Sequence, residues 1–219
     1  MKKNIFLSLL LISLITNISG QSKFNDTLVI QLGLIAIDDQ TYRAQLETVQ
    51  SKYGGKSKEM DDLWKIIKEK DSVNLIKVKA IIDKYGWLGP DVIGDEGNAA
   101  LFLVIQHSDI VSQEKYLPVM RDAVNNGKAK ATSLALLEDR VALRQGKNQI
   151  YGSQVVWDMK TNEYYLMPLE DPENVDKKRS LIGLPPLAVY LSNWQMKWDI
   201  QQYKKDLPKI VSLYHKTPK

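Results

Sequence analysis

The chain has 219 residues, no cysteine and a formal net charge of +4 at pH 7. This length fits one domain with a sizeable core, and the lack of cysteine excludes disulfides, thiolate metal sites and cysteine catalysis. The excess charge lies in residues 197–219, which hold six lysines and two aspartates, so the rest of the chain lacks the basic character typical of nucleic-acid binding.

The first twenty residues have the pattern of a secretory signal peptide. Lys2 and Lys3 precede an apolar run over residues 5–15, and small residues follow up to Gly20. The run is too short to cross a bilayer comfortably, and no later segment is apolar for long enough. We therefore predict cleavage near Gly20–Gln21 and an exported protein, periplasmic or extracellular, with an uncleaved anchor as the alternative. The predicted division is a signal peptide at 1–20, a helical domain at 21–195 and a basic C-terminal helix or solvated tail at 196–219.

The first predicted helix of the domain runs from about Thr27 to Tyr53, because apolar residues recur there every three or four positions. Asp39 falls in register with this apolar stripe, and a carboxylate that faces a core needs a partner. Arg43 lies one turn later, at the spacing of an intrahelical ion pair. The pair is either structural or part of a site.

A later predicted helix, from Asn98 to His107, places a histidine at the end of an inward face. Histidine changes protonation near neutral pH, so His107 is the candidate general acid or base. Gln106 and Asp109 lie close to it in sequence. The alternative is a structural histidine whose ring nitrogens bond to neighbouring groups.

The chain is organised around residues 131–154. The predicted helix in this stretch is apolar on nearly every side, which is typical of a buried helix, yet it carries Asp139 and Arg140 in its middle. A glycine ends the helix, and a polar segment with Gln149, Tyr151 and Gln154 follows. We interpret this stretch as the floor of a site.

Residues 149–168 predict a β-hairpin, with two β-rich runs around a polar turn at 160–163. Strict alternation would put Gln149 and Tyr151 on one face of the strand and Gln154 on the other, so that only one set lines a pocket. A bulge at Gly152 would instead turn both sets inward. A short helix with Arg179 and an aromatic-rich helix come after the hairpin. The whole pattern predicts a mainly α fold, a single-domain helical bundle of about six to eight helices with one β-hairpin near residues 149–168.

Six short motifs occur along the chain in a fixed order. They are D-Q-x-x-R at Asp39–Arg43, Y-G-W at Tyr85–Trp87, Q-H-x-D at Gln106–Asp109, L-x-D-R at Leu137–Arg140, Q-x-Y-G-S-Q at Gln149–Gln154 and R-x-x-x-G-L at Arg179–Leu184. With these motifs the chain resembles, over roughly residues 30–190, a bacterial family of domains of unknown function, unknown-function family 6624. It departs from the family pattern where Leu88 and Gly89 precede Pro90, and where Ser153 replaces the usual threonine. The resemblance implies a shared site and no particular reaction.

The main functional hypothesis is an enzyme that gathers the motif residues in one cleft. The candidate catalytic residues are His107, Asp139 and Tyr151, and the candidate substrate-binding residues are Asp39, Arg43, Gln106, Asp109, Arg140, Gln149, Gln154 and Arg179. Asp109 or Asp139 would orient the imidazole of His107, and Tyr151 would donate a proton. Arg140 or Arg179 would hold an anionic group of the substrate.

Hydrolysis or a lyase-type proton abstraction fits these groups, although no nucleophile motif such as G-x-S-x-G is present. No cofactor and no metal are predicted. A three-histidine zinc site is impossible because His107 and His215 are the only histidines, and nothing in the sequence supports a carboxylate-bound magnesium or calcium. The expected ligand is small and polar or anionic, and the oligomeric state is not predicted. The alternatives are a secreted binding module without turnover and a buried polar network that only fixes helix packing.

Overall fold

The computed structural model describes residues 24–158, 161 and 163–216. The predicted signal peptide at 1–20 lies outside the described residues. The elements, in chain order, are α1 (Asp26–Arg43), α2 (Leu46–Tyr53), α3 (Lys58–Tyr85), α4 (Pro90–His107), α5 (Ile110–Asn125), α6 (Ala131–Arg144), β1 (Val155–Asp158), β2 (Glu163–Leu166), α7 (Val175–Leu181), α8 (Leu187–Leu191), a short 3-10 turn (Ser192–Trp194) and α9 (Ile200–Lys216). The prediction of a mainly α fold with one hairpin is confirmed.

The predicted helix from 27 to 53 is two helices, because the chain bends at Ala44 and Gln45. Ala44 N–H still bonds to Gln40, but Gln45 N–H bonds to Tyr42, three residues back, which tightens the last turn of α1. No residue of α2 is buried, so no core contact holds the second helix in line with the first. The bend lies directly after Arg43.

The larger core lies among α1, α3, α4, α5 and α6. Apolar residues at helical spacing supply it, for example Leu32 and Ile35 of α1 and Leu101 and Ile105 of α4, all of which are buried. The helices α1 and α4 pack closely because Gly97 has no side chain at their contact: a Cβ there would lie 3.3 Å from Leu32 Cδ1. This close packing brings the end of α1 next to the end of α4.

The smaller core lies under the hairpin and is covered by α7, α8 and α9. Its buried residues include Leu166, Leu169, Leu187, Tyr203 and Ile210. Because Tyr203 and Ile210 are buried, the basic C-terminal segment is packed as a helix over the described residues and is not the solvated tail that the sequence suggested.

The hairpin is shorter than predicted. Strands β1 and β2 pair antiparallel with Trp157 opposite Tyr164. Residues 149–154 form a loop, which bonds to the segment after β2 through a bridge between Gln149 and Leu169 and through the hydrogen bond from Met167 N to the carbonyl of Gln154. The expectation that Gly152 forms a bulge within a strand is therefore wrong. Gly152 has φ of +70°, a left-handed conformation that glycine adopts without strain, and it lets the loop turn.

Among the described residues, no helix combines the length and the apolar character needed to cross a bilayer.

Candidate functional site

Four charged or titratable side chains meet where the ends of α1 and α4 approach the middle of α3. They are Asp39 and Arg43 from α1, Asp71 from α3 and His107 from α4, and we call this group the His107 cluster. Asp39 and Arg43 face α4 because they continue the buried stripe of α1. They form the predicted intrahelical ion pair four residues apart, with Arg43 Nε 3.7 Å from Asp39 Oδ2. The cluster is partly open: the side chains of His107, Asp71 and Arg43 are 19%, 21% and 15% exposed.

The imidazole of His107 is held through its Nδ1 atom. Nδ1 lies 3.0 Å from Asp39 Oδ1 and 3.1 Å from Arg43 Nε. A proton on Nδ1 would donate to Asp39, and an unprotonated Nδ1 would accept from Arg43, so the two contacts belong to different tautomers. In either case Nε2 makes no hydrogen bond among the described residues.

The two carboxylates of the cluster have pKa values displaced in opposite directions. Burial alone would raise the pKa of Asp39, but the hydrogen bond from His107 and the charges of His107 and Arg43 outweigh it and lower the pKa. Gln40 Nε2 also donates to Asp39 Oδ2 at 2.6 Å. For Asp71, burial outweighs the charge of Arg43, so its pKa is raised. The cluster therefore contains a carboxylate that stays ionised beside one that accepts a proton more readily.

The cluster could be taken for a metal site, because ligand atoms of Asp39, Asp71 and His107 lie within 4.8 Å of one another. However, the guanidinium of Arg43 already bonds to these groups. Arg43 Nη2 donates to both oxygens of Asp71 at 2.8 Å, and Nε lies near His107 and Asp39. Arg43 thus supplies the positive charge that a divalent ion would bring, and we assign no metal to the cluster.

Asp71 was not among the candidate site residues predicted from the sequence. Asp71 lies inside α3, in register with the buried residues Ile67, Asn74 and Val78. That register was visible in the sequence: a carboxylate on the apolar stripe of a long helix is the same signal that singled out Asp39.

Asp139 lies on α6 and is wholly buried, but its partners are main-chain groups. Oδ1 accepts from Ile150 N and Tyr151 N at 2.7 and 2.9 Å, and Oδ2 accepts from Ser153 N at 2.9 Å. We call residues 149–154, which close around this carboxylate, the Asp139 loop. Burial raises the pKa of Asp139 although the three N–H groups favour its charged form.

The side chains of Gln149 and Arg179 also bind main-chain groups, whereas that of Gln154 donates to Ser153 Oγ at 2.9 Å and accepts from Arg140. Gln149 donates to the carbonyls of Gln154 and Met167, and its Oε1 accepts from Gln154 N. Arg179 is fully buried and donates to the carbonyls of Pro185 and Tyr151, each at 2.6 Å. These bonds fix the course of the loop.

The structure corrects the predicted orientation of His107. The carboxylate that contacts its imidazole is Asp39, whereas Asp109 caps α5 by accepting from Ser112 N at 2.8 Å and Asp139 holds its loop. No hydrogen bond among the described residues joins His107 to Asp139 or to Tyr151. The pKa of Tyr151 is raised, first by burial and then by the negative charges of Glu138 and Asp139. Whether Asp139 and Tyr151 take part in a reaction stays a prediction.

Arg140 connects the two regions. Its Nε donates to Gln154 Oε1 at 3.1 Å, and its Nη1 donates to the carbonyl of Gln106, the residue before His107, at 3.2 Å. Within the described part of the chain no carboxylate forms an ion pair with it. Burial, and next the charges of Arg144 and Arg43, lower the pKa of Arg140 to about 10, so it remains charged at neutral pH.

The described structure also has a cleft of about 600 Å³ next to Arg43. Its walls come from the corner between α1 and α2, the start of α3, the hairpin and residues 193–195. The His107 cluster therefore adjoins a space large enough for a small ligand.

Comparison with known proteins adds a family and no activity. No curated protein and no solved structure matches this chain. A family of unknown function, DUF6624, matches residues 28–201, which is most of the chain and nearly all of the described helical structure. The resemblance drawn from the six motifs is thereby confirmed, and the chain belongs to the DUF6624 family of unknown function.

Proposed function

We propose that the protein is an enzyme of the hydrolase or lyase class in which His107 transfers a proton to or from an anionic substrate. The single observation that carries this proposal is the contact between His107 Nδ1 and Asp39 Oδ1 at 3.0 Å in a partly open position. In the tautomer that donates from Nδ1 to Asp39, the carboxylate orients the ring and leaves Nε2 for the substrate.

Asp39 suits the orienting role. It is buried, and its lowered pKa keeps it ionised at neutral pH, so it stabilises the imidazolium that forms when His107 accepts a proton. When His107 later releases that proton through Nε2, Nδ1 keeps its own proton toward Asp39. The hydrogen bond from Gln40 holds the second carboxylate oxygen in place.

Asp71 is a second group for proton transfer. Its raised pKa separates it from Asp39, and pairs of carboxylates with displaced pKa values are typical of acid and base assignments. Arg43 holds Asp71 through two hydrogen bonds to one guanidinium nitrogen. Loss of Arg43 would therefore change both the orientation of His107 and the protonation of Asp71.

The proposed negative charge of the substrate is supported by Arg140. A guanidinium that is partly buried beside two other arginines normally has an acid partner, and Arg140 has none among the described residues. A carboxylate or phosphate of a substrate would supply that partner.

The test is a screen of the purified protein against carboxylate- and phosphate-bearing esters, amides and lactones, repeated with His107→Gln. General acid–base catalysis contributes about 10²–10⁴-fold, so we expect the variant to lose at least about 100-fold in kcat. Its melting temperature should fall by less than about 3 °C, because His107 is partly exposed.

The matched control is Asp83→Asn, which removes an exposed carboxylate that accepts hydrogen bonds from Lys115 and Tyr116. Its activity should equal that of the wild type. If His107→Gln retained full activity, the proposal would be wrong. A large loss of melting temperature in His107→Gln would instead favour a structural network.

A binding module without turnover is the second candidate. The observation that favours it is that no hydroxyl group among the described residues bonds to His107, so the histidine has no evident nucleophile to activate. Saturable binding of an anionic compound without any product, under conditions where the screen detects turnover by other enzymes, would select this candidate.

We also propose that the protein is exported, because of the charged, apolar and small-residue order of residues 1–20. N-terminal sequencing of the protein from its native host tests this. A chain that begins near Gln21 in the periplasm or medium is expected, and an intact Met1 in the cytoplasm would contradict the proposal.

A further inference from the structure

The cleft beside Arg43 is lined by an unusual concentration of aromatic side chains. Trp64, Trp157, Tyr164 and Trp194 come from three separate parts of the chain and border the same space. We call it the aromatic cleft. None of these residues was predicted as part of a site, because they become neighbours only through the tertiary fold.

The hairpin contributes two of these rings, which stack on each other. Trp157 and Tyr164 are opposite each other in the register of β1 and β2, and their rings are nearly parallel, with centroids 6.4 Å apart and an interplanar angle of 22°. The ring of Trp157 lies against Gly55, where a Cβ would be only 2.0 Å from Cη2. Glycine at 55 therefore leaves the space that the indole occupies.

Trp194 also lines the cleft and is held in place by a second aromatic ring. Its ring packs edge-to-face on Tyr190 with centroids 5.1 Å apart, and Tyr190 donates to the carbonyl of Ser153 in the Asp139 loop. The next residue, Gln195, has φ of +56° and is the sole non-glycine residue in the left-handed region among those the structure describes. Such strained positions occur preferentially at functional sites.

The polar residues of the cleft are mostly uncharged. Gln50, Asn193 and Gln195 contribute amides, which both donate and accept hydrogen bonds, and Glu47 contributes a carboxylate. Leu46 and Met60 are its aliphatic members, and Met60 is almost wholly buried. The lining of the cleft therefore combines aromatic rings with amide groups.

We propose that the aromatic cleft binds an oligosaccharide. A sugar ring has an apolar face of C–H groups and a rim of hydroxyls, which fits flat aromatic faces bordered by amides. A peptide with aliphatic side chains would need aliphatic pockets, and the cleft has little aliphatic surface. A proline-rich peptide can dock on aromatic rings and is the competing occupant, so a tetrapeptide of this kind is included in the test. The inference deepens the proposed function, since it names the substrate class and places the reacting end of the sugar chain at Arg43.

Binding is tested on the full chain by calorimetry and tryptophan fluorescence. The probes are cellotetraose, chitotetraose, maltotetraose, tetragalacturonate and the methyl ester of tetragalacturonate. We expect at least one of them to bind with Kd below about 1 mM. Trp64→Ala and Tyr164→Ala should each weaken that binding about tenfold, since each removes one stacking surface.

Two controls accompany these variants. Tyr85→Ala removes an aromatic ring that is 46% exposed and does not line the cleft, and it should bind sugar like the wild type. Trp64 is itself 42% exposed, so its truncation leaves the core filled, and melting curves should show that Trp64→Ala folds. Absence of binding to all five probes would overturn the proposal. AMP and a proline-rich tetrapeptide are tested alongside the sugars, and binding of either of them without binding of any sugar would also overturn the proposal. Wild-type sugar affinity in both Trp64→Ala and Tyr164→Ala, once both are shown to fold, would do the same.

Two further results separate this inference from the proposed function. His107→Gln should keep its sugar affinity, because His107 does not line the cleft, and loss of binding in that variant would contradict the assignment. Tetragalacturonate should bind more tightly than its methyl ester if a negative charge reaches Arg43 and Arg140. Equal affinities would contradict the proposal that the substrate is anionic but would not contradict the proposal that the aromatic cleft binds sugar.

Discussion

The His107 cluster and the Asp139 loop both contain buried charge, but they use it differently. In the cluster, the side chains of Asp39, Arg43, Asp71 and His107 bond to one another, and all of them except the buried Asp39 remain partly exposed to solvent. In the loop, the carboxylate of Asp139 is wholly buried and bonds to three main-chain N–H groups.

This difference distinguishes a candidate functional site, the His107 cluster, from a structural element, the Asp139 loop. A buried charge that binds the main chain fixes the course of a loop, and its bonds cannot be exchanged for a ligand without unfolding that loop. A partly exposed charge that binds other side chains can accept a ligand or a proton in their place. Arg140 bonds to both regions, so a change at Arg140 shows whether the His107 cluster depends on the Asp139 loop.

The largest expected effect is on stability and comes from Asp139→Asn. The amide offers one acceptor oxygen and turns an N–H₂ group toward a main-chain N–H, so at least one buried donor loses its partner. We expect a loss of about 3 kcal/mol in the free energy of unfolding, or about 10 °C in melting temperature, measured by denaturation and calorimetry.

The control for this prediction is Asp109→Asn, the same change at an exposed helix cap. It should cost about 1 kcal/mol or less. Equal losses in the two variants would mean that the Asp139 loop is no better supported than a surface turn, and the distinction between the two regions would fail.

Much of the fold could be predicted from the sequence, because helical periodicity and glycine positions are local signals. The pair of Asp39 and Arg43 was predictable for the same reason, since four residues separate them on one helix. The contacts of His107 were not, because Asp39 and Asp71 reach it from helices 68 and 36 positions earlier in the numbering. The motifs that contain or follow His107 along the chain suggested Asp109 and Asp139 as the partners of its imidazole instead.

The role of Asp139 was hidden for a different physical reason. Its partners are the main-chain N–H groups of residues 150, 151 and 153, and every residue except proline has such a group. A sequence pattern therefore indicates that a buried acid needs partners but does not say that the backbone provides them. The loop conformation that supplies them was predicted as a strand.

An intermediate effect is expected in the pH dependence of stability, where Asp39→Asn and Asp71→Asn should differ in sign. The pKa of Asp39 lies below its ordinary value of 3.8 in the folded state, so it contributes stability above that pH that is lost as the pH falls through its folded pKa. The folded pKa of Asp71 lies above 3.8, so ionising it costs stability as the pH rises through that value.

Relative to the wild type, Asp39→Asn should therefore become less stable as the pH rises from about 2.5 to 6, and Asp71→Asn should become more stable over the same range. Urea denaturation at closely spaced pH values measures both curves. Parallel curves would show that the two carboxylates are equivalent, which would remove the acid and base assignment within the His107 cluster.

The smallest expected effect on stability comes from Arg140→Gln, the residue between the two regions. The change removes two hydrogen bonds to Gln154 and Gln106 but also relieves the repulsion from Arg43 and Arg144, so the free energy of unfolding should change by less than about 1 kcal/mol.

The response of the melting temperature to anions is the more sensitive test of the role of Arg140. Citrate or phosphate, compared with chloride at equal ionic strength, should raise the melting temperature of the wild type and leave that of Arg140→Gln unchanged. The matched control is Arg121→Gln, because Arg121 is exposed and already paired with Glu138, and it should keep the wild-type response. An anion effect that survives in Arg140→Gln would place the binding elsewhere, and a large loss of stability would assign Arg140 to the support of the Asp139 loop.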